Sequence, residues 1–556
     1  MKTLYKNSSI KCLLILLLMA FSLVSCNNKL NETVYSNLTA ENFWQSETDA
    51  LAGLYSTYTL SNEFGAHNRV FFQTTDMITD DMDYYYAGSD AGLKQLQTSS
   101  YSPLNTYINT VWVALYKTIA QSNVVIEKVP HIVGMTAVDQ NTIIGEARFL
   151  RALEYFYLVQ LWGAVPLDTI AVSNVADTKI PKSLVDTVYK LIVSDLKFAE
   201  TNCADNAPEL GRATKWAAKS LLGKVYLTMA GPFSNRKSDI LILAEAKLKE
   251  VINSKRFSLV PNIISYFDIT KKGSSEAIYE EWQLGDVSPA VGSFMHRNCL
   301  PANISNPAVT KLLTPGYSSW SPTPDLWSKF NPKDDRLKMY YTWYIKRNSN
   351  GTFNIQQQNC PYIAKYVDSL TLARDAKANN LPIIRYSDVL LIYAEVLNEL
   401  NTVNTEDANH DQYYYINLVR QRAFYSQPTG FYAVKTMPQS NFRDTLMLER
   451  RLELAHEGQR LFDMKRTGTF ISGMNALAAN NRALLASTPP TFKTSYPAGS
   501  YPNPTGTVYY NAGTYTFIAS YFASTKMVGP QPYQILYPIP YVQLQVYDIG
   551  QNTGYN

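Results

Sequence analysis

Apolar residues recur at helical spacing along two sides of the segment 145–167, GEARFLRALEYFYLVQLWGAVPL. The first stripe is Leu150, Leu153, Tyr157 and Leu161, and the second, turned by one residue, is Phe149, Ala152, Phe156 and Val159. This spacing predicts an α-helix that is covered on two sides and therefore lies between two neighbours. Two arginines and a glutamate occupy much of the remaining surface. Gly163 ends the predicted helix, and Pro166 prevents it from resuming.

Further helical segments follow in pairs. Residues 211–232 and 239–254 are separated by a short polar turn, which predicts an antiparallel hairpin of roughly forty residues. Residues 386–401 and 411–424 predict a second hairpin, and 185–200 predict one more helix. Such pairs cannot bury their apolar faces alone and must stack. The sequence therefore predicts a mostly α fold of degenerate tetratricopeptide-like helical hairpins.

Two long stretches lack this periodicity. Residues 261–385 and 488–540 are rich in Pro, Gly, Asn and aromatic residues. They predict long irregular loop excursions from the helices, with minor short β-strands. Because loops on a rigid scaffold often carry binding groups, we expect the ligand site there. The prediction is a single domain over residues 26–556.

The N-terminus has the pattern of a targeting segment. Three lysines precede an apolar run over residues 12–24, which is too short for a comfortable membrane span. Ser25 and Cys26 follow directly, and this arrangement resembles the lipobox of bacterial lipoproteins, in which the cysteine is lipid-modified. We predict a signal peptide over residues 1–25 and lipid attachment at Cys26. The alternative is an ordinary signal peptide with an incidental cysteine.

Composition and charge exclude several classes of protein. Hydrophobic residues make up 46% of the 556 residues, which indicates a globular chain. Removing residues 1–25 takes away three lysines and no acid, so the formal charge falls from +4 to about +1. That balance does not favour nucleic acid. The later cysteines, Cys203, Cys299 and Cys360, are widely spaced and predict neither a zinc site nor a disulfide framework. We expect no metal and no cofactor.

Motifs of the common hydrolases and nucleotide-binding enzymes are absent from the sequence. It contains no G-x-S-x-G, no H-E-x-x-H and no P-loop. Asp80, Asp81 and Asp83 could supply the paired carboxylates of a glycoside hydrolase, but a sequence gives no distance between them. These residues alone therefore leave a surface hydrolase as an alternative.

The segment 449–468, ERRLELAHEGQRLFDMKRTG, carries charges of both signs at spacings that permit helical pairs. A nucleic-acid patch would not be balanced in this way. We therefore predict that these charges tie helices together within the chain. His456, which could serve as a catalytic base, is expected to be a packed or hydrogen-bonded histidine.

The first candidate binding stretch is 74–92, TTDMITDDMDYYYAGSDAG. A sugar presents C–H groups on one face, on which an aromatic ring can stack, and hydroxyls around its rim. The alternative is a partly buried turn with a solvated acidic patch. Calcium is a third alternative, although the D-x-D-x-D-G loop pattern is absent. The candidate ligand-binding residues here are Asp81, Asp83, Tyr84, Tyr85 and Tyr86.

The second group of candidates consists of tryptophans in the middle excursion. Trp320, between serines and before a proline, has few apolar neighbours in sequence and is the leading candidate for a stacking platform. Trp327 is expected to anchor its loop instead. Trp282 follows a strand-like run of alternating apolar and acidic residues, and Trp343 lies in a Tyr-rich stretch.

Five sequence blocks together resemble the SusD/RagB family of outer-membrane nutrient-binding lipoproteins. The start of the chain, from the lipobox to residue 58, matches the family as well, and the blocks occur in the family's order. The stretch 27–31, NNKLN, lacks the acidic cluster that tends to accompany export to the cell surface. The blocks are residues 145–167, 211–231, 381–400, 449–468 and 536–555.

This resemblance implies a function and a location. Family members capture oligosaccharides, or in the RagB-like branch peptides, and pass them to a SusC-like TonB-dependent transporter in the outer membrane. They are not enzymes. The resemblance therefore implies a lipid-anchored protein in the outer membrane that faces the cell exterior, with an oligosaccharide or a peptide as its ligand.

Overall fold

The computed structural model describes residues 43–62, 66–84, 90–171, 179–285, 292–300, 316–317, 319–347, 353–371, 373, 375–401, 410–428, 430–486, 492–502, 508–517, 526–547 and 549–555. Residues Ser46–Asn556 form one compact unit. The predicted signal peptide and Cys26 lie outside the described residues, so the domain boundary and the lipid anchor stay predictions.

The fold is mostly helical, as the sequence pattern predicts. Short 3₁₀ turns occur at Val129–His131, Phe233–Asn235, Asp335–Met339 and Pro532–Ile535. The α-helices are α1 (Glu47–Ser61), α2 (Arg69–Asp76), α3 (Ala91–Gln97), α4 (Thr106–Lys128), α5 (Ala137–Trp162), α6 (Val185–Asn202), α7 (Lys215–Met229), α8 (Ser238–Asn253), α9 (Ile263–Tyr266), α10 (Met295–Cys299), α11 (Pro324–Lys329), α12 (Tyr386–Leu400), α13 (Gln412–Ala423), α14 (Gln439–Glu453), α15 (Arg460–Thr467), α16 (Phe470–Ala486) and α17 (Tyr541–Tyr547).

The described strands form five antiparallel pairs. The pairs are β1 with β5, β2 with β3, β4 with β8, β6 with β7 and β9 with β10. The strands are β1 (Met82–Tyr84), β2 (Val165–Pro166), β3 (Lys182–Ser183), β4 (Ala277–Glu281), β5 (Trp320–Pro322), β6 (Tyr340–Arg347), β7 (Phe353–Ile363), β8 (Leu381–Arg385), β9 (Phe492–Pro502) and β10 (Val508–Phe517).

Helix α5 is buried on nearly every side of its C-terminal half, which confirms the prediction of a two-sided helix. It packs against α4 and α6, so it has a neighbour on each side. Gly163 ends it in a left-handed conformation, with φ at +75°. A Cβ at this glycine would lie only 2.9 Å from Leu536 Cδ1, so the end of α5 also packs closely against the C-terminal segment.

The other helices continue this arrangement as a stack. Helices α7 and α8 form the predicted hairpin, and α12 and α13 form the second. Helix α6 packs against α7, and α8 packs against α12, which joins the two hairpins. The prediction of stacked tetratricopeptide-like hairpins is confirmed.

The excursions contain the strands that the sequence predicts there. Residues 261–385 and 488–540 include the pairs β6–β7 and β9–β10, whose longest strands have 11 residues. Pairing across each hairpin stabilises these strands.

The charged residues of α5 are tied to neighbouring helices. Arg151 donates to Asp195 of α6 through Nε and Nη2, both at 2.8 Å, and to Asn123 of α4 through Nη1. Glu154 lies 3.1 Å from Nε2 of His67, and Nδ1 of the same ring lies 3.0 Å from Glu281. These buried polar contacts fix the position of α5 relative to α4, α6 and β4.

We predict that His67 gives the protein a pH-dependent stability above neutrality. Burial lowers its pKa, but the carboxylates of Glu154 and Glu281 outweigh this effect and raise the pKa to about 10. The folded state therefore holds a proton that the unfolded state releases above pH ~6.5. This stabilisation is complete below ~6.5 and is lost as pH rises towards 10, by up to about 1.4 kcal/mol per pH unit.

Urea unfolding of the wild type and of His67→Gln, measured between pH 6 and pH 10, checks this expectation. The free energy of unfolding of the wild type should fall more steeply with pH than that of the variant. Equal slopes for the two proteins would show that His67 is not protonated in the folded state.

Candidate functional site

The strand pair β1–β5 brings together two of the segments that the sequence analysis singles out. In its antiparallel register Asp83 lies opposite Ser321 and Tyr84 lies opposite Trp320. Thr323 strengthens the junction because its backbone N–H donates to the carbonyl of Asp81 at 3.0 Å. The acidic–tyrosine stretch and the Trp320 loop therefore meet in space, as a shared ligand site requires.

The hairpin β6–β7 borders this junction. Strand β7 contacts β5, and Trp343 of β6 lies opposite Gln357 in the hairpin register. The side chain of Trp343 is not among those described. Tyr85 and Tyr86 follow β1 directly in sequence and lie outside the described residues, so the ligand-binding role of these three residues stays a prediction.

Burial corrects the expectation for four of the candidates. Asp81, Asp83 and Tyr84 are buried, and Trp320 has 0% of its surface exposed. Trp320 packs in the main hydrophobic core, so the expectation of an exposed stacking platform is wrong. Its polar neighbours in sequence gave no sign of this, because its apolar contacts come from distant parts of the chain. Trp327 is buried too, as an anchor should be.

The acidic residues beside β1 are engaged in ion pairs. Arg451 of α14 donates to Asp81 Oδ1 at 2.6 Å and to Asp325 Oδ2 at 2.7 Å. Arg460 of α15 donates to both carboxylate oxygens of Asp80, at 2.7 and 2.8 Å. Burial raises the pKa of Asp80, but Arg451 and Arg460 outweigh it and hold that pKa well below its usual value. These carboxylates and the two arginines lie beneath strand β1 and form what we call the floor of the site. They are not a solvated patch.

Lys526 joins the second excursion to the same place. Its Nζ lies 2.7 Å from Asp83 Oδ1 and also donates to the carbonyl of Met82. Both charged groups are buried. The chain before α17 is therefore fixed to β1 through a buried ion pair, and Asp83 neutralises a lysine instead of facing a ligand.

Helix α14 carries a larger network of buried charges behind this floor. Glu453 lies within salt-bridge distance of Arg336, Arg385 and Arg422. Burial raises the pKa of Glu453, but the three guanidinium groups outweigh it and lower that pKa. Glu276 pairs with two of the same arginines, at 2.5 and 2.8 Å. The prediction that the charges of 449–468 tie helices together is confirmed.

His456 lies at the edge of this network and is packed, as expected. Its ring is buried edge-on to Tyr340, and neither ring nitrogen has a hydrogen-bond partner within the described parts of the chain. Burial, together with Lys365 and Arg451, holds its pKa well below the usual value, so the ring is neutral.

Trp282 is not brought to the β1–β5 junction. Its carbonyl accepts from Asn62, and the preceding Glu281 contacts His67, so it is held beside the N-terminal end of α2. Strand β1 follows the other end of this helix, which has eight residues and rises about 12 Å. The candidates therefore divide between two places.

A pocket of about 340 Å³ contains Trp282. Its walls include Trp216 of α7, Arg256 after α8, and the loop from Asp205 to Gly211. Sequence reasoning missed Trp216 because the segment 211–232 has the pattern of a scaffold helix. A signal was present: Trp216 sits among lysines at positions 215 and 219, on the polar side of an amphipathic helix.

Neither a membrane-spanning helix nor a metal-binding cluster occurs among the residues that the structure describes. Within them no helix has both the length and the apolar character needed to cross a bilayer. The same residues contain no cluster of three or more histidine, cysteine or acidic side chains arranged to hold a metal ion.

The architecture defines a class: a tetratricopeptide-like helical scaffold whose excursions carry the candidate site. The model of the SusD family matches residues 304–555, and a second model, described as starch-binding and associating with the outer membrane, matches residues 55–227. A SusD-like protein of Formosa agariphila is 28% identical over 517 residues, which cover 83% of this chain and 90% of that protein.

Solved structures agree with this grouping. A SusD superfamily protein from Parabacteroides distasonis is 23% identical with a TM-score of 0.71, and the match covers 93% of this chain and 100% of that chain. A laminarin-binding SusD-like protein is 22% identical with a TM-score of 0.65, over 92% of this chain and 100% of that chain. The two family models together match most of the chain, which marks it as SusD-like.

Because Trp320 is buried, we predict that Trp320→Ala acts on stability. Removing a fully buried indole should lower the free energy of unfolding by about 3–5 kcal/mol. Phe431→Ala, which truncates a 43% exposed ring, is the control and should cost much less. Chemical unfolding measures both. Unchanged stability in Trp320→Ala combined with lost ligand binding would restore the stacking interpretation.

We predict that Arg451→Met is strongly destabilising, because it leaves Asp80 and Asp81 buried without this partner. Removing one member of a buried ion pair costs about 3–5 kcal/mol. Lys329→Met is the matched control, since Lys329 also pairs with Asp325, at 3.6 Å, but is 43% exposed. An exposed pair contributes about 0–1 kcal/mol. Similar small losses of unfolding free energy for both variants would contradict the anchoring function of Arg451.

Proposed function

We propose that the protein binds an oligosaccharide and delivers it to a SusC-like TonB-dependent transporter. The observation that carries the proposal is the β1–β5 junction, where an ion-paired floor supports strand β1, which Tyr85 and Tyr86 follow in sequence. Aromatic rings on such a floor would stack on the C–H face of a sugar. The family description of starch binding and the laminarin-binding relative support a carbohydrate ligand.

The proposal includes a location. Lipid attachment at Cys26 would hold the folded body at the outer membrane, facing the cell exterior. The support is the lipobox-like sequence before Cys26 and the description of the matched family model as associating with the outer membrane. A transporter partner is proposed from the match to the SusD family model.

The proposal excludes covalent chemistry at the β1–β5 junction. A glycoside hydrolase needs two carboxyl groups facing a common cleft, one of them free to donate a proton. Asp80, Asp81 and Asp83 each pair with a buried arginine or lysine instead. Their arrangement supports a structural function, and therefore a carrier that leaves its ligand intact.

We predict saturable binding of an intact glycan. Purified protein is titrated calorimetrically with soluble starch fragments, laminarin fragments and a broader glycan panel, and each mixture is assayed for new reducing ends. Tyr85→Ala with Tyr86→Ala should weaken binding by about tenfold or more, since two ring contacts are lost. Tyr541→Ala, at a 51% exposed ring on α17, is the control and should bind normally.

The same assay separates the alternatives. New reducing ends that depend on protein concentration would favour the surface glycan hydrolase. Failure to bind any glycan, with saturable binding of peptides, would favour the RagB-like branch and overturn the carbohydrate proposal.

A further inference from the structure

The pocket between the start of α7 and the end of β4 has a composition suited to a ligand of its own. It lies beside the N-terminal end of α2, whereas the β1–β5 junction follows the opposite end. Its volume of about 340 Å³ is within the range of small-molecule sites, at the lower end. It offers two indole rings, Trp216 and Trp282, with polar side chains between them.

Both sides of the Trp282 ring are bordered by glycine. A Cβ on Gly211 would lie 2.7 Å from Trp282 Cδ1, and a Cβ on Gly273 would lie 3.5 Å from its Cζ2. Both glycines have positive φ, at +92° and +63°, so side chains are disfavoured at these positions. The ring therefore packs directly on backbone at these edges. The ammonium of Lys272 lies 5.5 Å from the ring centroid and donates to the carbonyl of Gln283.

A hydrogen bond from its indole nitrogen holds the Trp216 ring in place. Its Nε1 donates to Asp205 Oδ1 at 3.2 Å, and Asp205 also pairs with Lys215 and Arg256. The guanidinium of Arg256 lies 5.5 Å from the Trp216 centroid. A ring that is oriented before the ligand arrives loses little freedom on binding, which favours affinity.

Of the four charged side chains that line the pocket, three pair with an opposite charge within the protein, and the fourth, Glu280, accepts from the amide of Asn380. Arg256 pairs with Asp205 and Asn206, and Arg212 donates to both carboxylate oxygens of Glu146, at 2.7 and 3.0 Å. A phosphate, a peptide carboxylate or an ammonium ligand would have to displace one of these pairs. The balance favours a neutral ligand that uses hydrogen bonds and ring contacts.

Hydroxyl and apolar groups complete the fit to a polyol. Ser274 and Ser275 line the pocket. The hydroxyl of Ser274 is buried, whereas Ser275 is exposed and its hydroxyl donates to the carbonyl of Ser258 at 3.2 Å. Leu210 is 67% exposed and, like Trp282, lies close to Gly273. A sugar ring offers hydroxyls to Ser275 and C–H groups to the indoles and the leucine.

We propose that the Trp216–Trp282 pocket is a second carbohydrate-binding site, which takes one or two neutral sugar rings separately from the β1–β5 junction. The proposal rests on the proposed function, because it assumes that the protein meets glycans. It assigns Trp216, in the first turn of a scaffold helix, to ligand contact. It also assigns Trp282 to this pocket and not to the junction.

Calorimetry with the full protein tests the proposal. The probes are maltotriose, laminaritriose and a trisaccharide of any other glycan bound in the panel. We expect two sites per chain in the wild type and one in Trp282→Ala, or at least about a tenfold loss of affinity at one site. Ser275→Trp, which fills the pocket and keeps both indoles, should have the same effect. Tyr541→Ala is the aromatic control, since Tyr541 is 51% exposed and does not line the pocket, and should retain both sites.

Each result has a defined meaning. Binding of one trisaccharide per chain that is unchanged in Trp282→Ala and Ser275→Trp overturns the second site alone. A wild-type protein that binds no glycan of the panel overturns the proposed function and the second site with it. If Trp282→Ala fails to fold in a thermal unfolding control, Ser275→Trp decides the question, and unchanged binding in that variant overturns the proposal.

Discussion

The pairing of buried charges around α14 is the interaction on which the rest of the structure depends. Glu453 cannot stay buried and ionised without cations, and Arg336, Arg385 and Arg422 supply them from three different parts of the chain. These three partners lie between α11 and β6, at the end of β8 and in α13, so satisfying one carboxylate fixes the middle excursion against the helical stack.

Helix α14 also fixes the geometry of the candidate site. Arg451 lies two residues before Glu453, so it leaves α14 on a different side and reaches Asp81 and Asp325. One side of the helix thus holds the core network, and the other holds the floor beneath β1–β5. This division allows one scaffold to present different ligand-contacting rings.

Sequence reasoning succeeded where the determining partners are local and failed where they are distant. The helical stripes of α5 predicted its two neighbours, because periodicity reports burial directly. Asp81 and Trp320 were misjudged for the opposite reason. Asp81 meets an arginine 370 positions away, and Trp320 is buried by residues that its serine neighbours do not reveal. The sequence predicts strands in the excursions but not which strands pair, because cross-strand pairing is also non-local.

The proposed sugar binding in the Trp216–Trp282 pocket would explain how a carrier holds a polymer and still releases it. A glycan that touches two separated sites on one chain is retained by the raised effective concentration at the second site, although each contact is weak. Each weak contact also breaks quickly, so a partner that binds one end of the glycan can remove the glycan one contact at a time. A single tight site would have to release the whole ligand at once. The paired charges of the pocket suit stepwise release. Ring contacts and neutral hydrogen bonds give modest affinity, and no charged group has to be rehydrated when the glycan leaves.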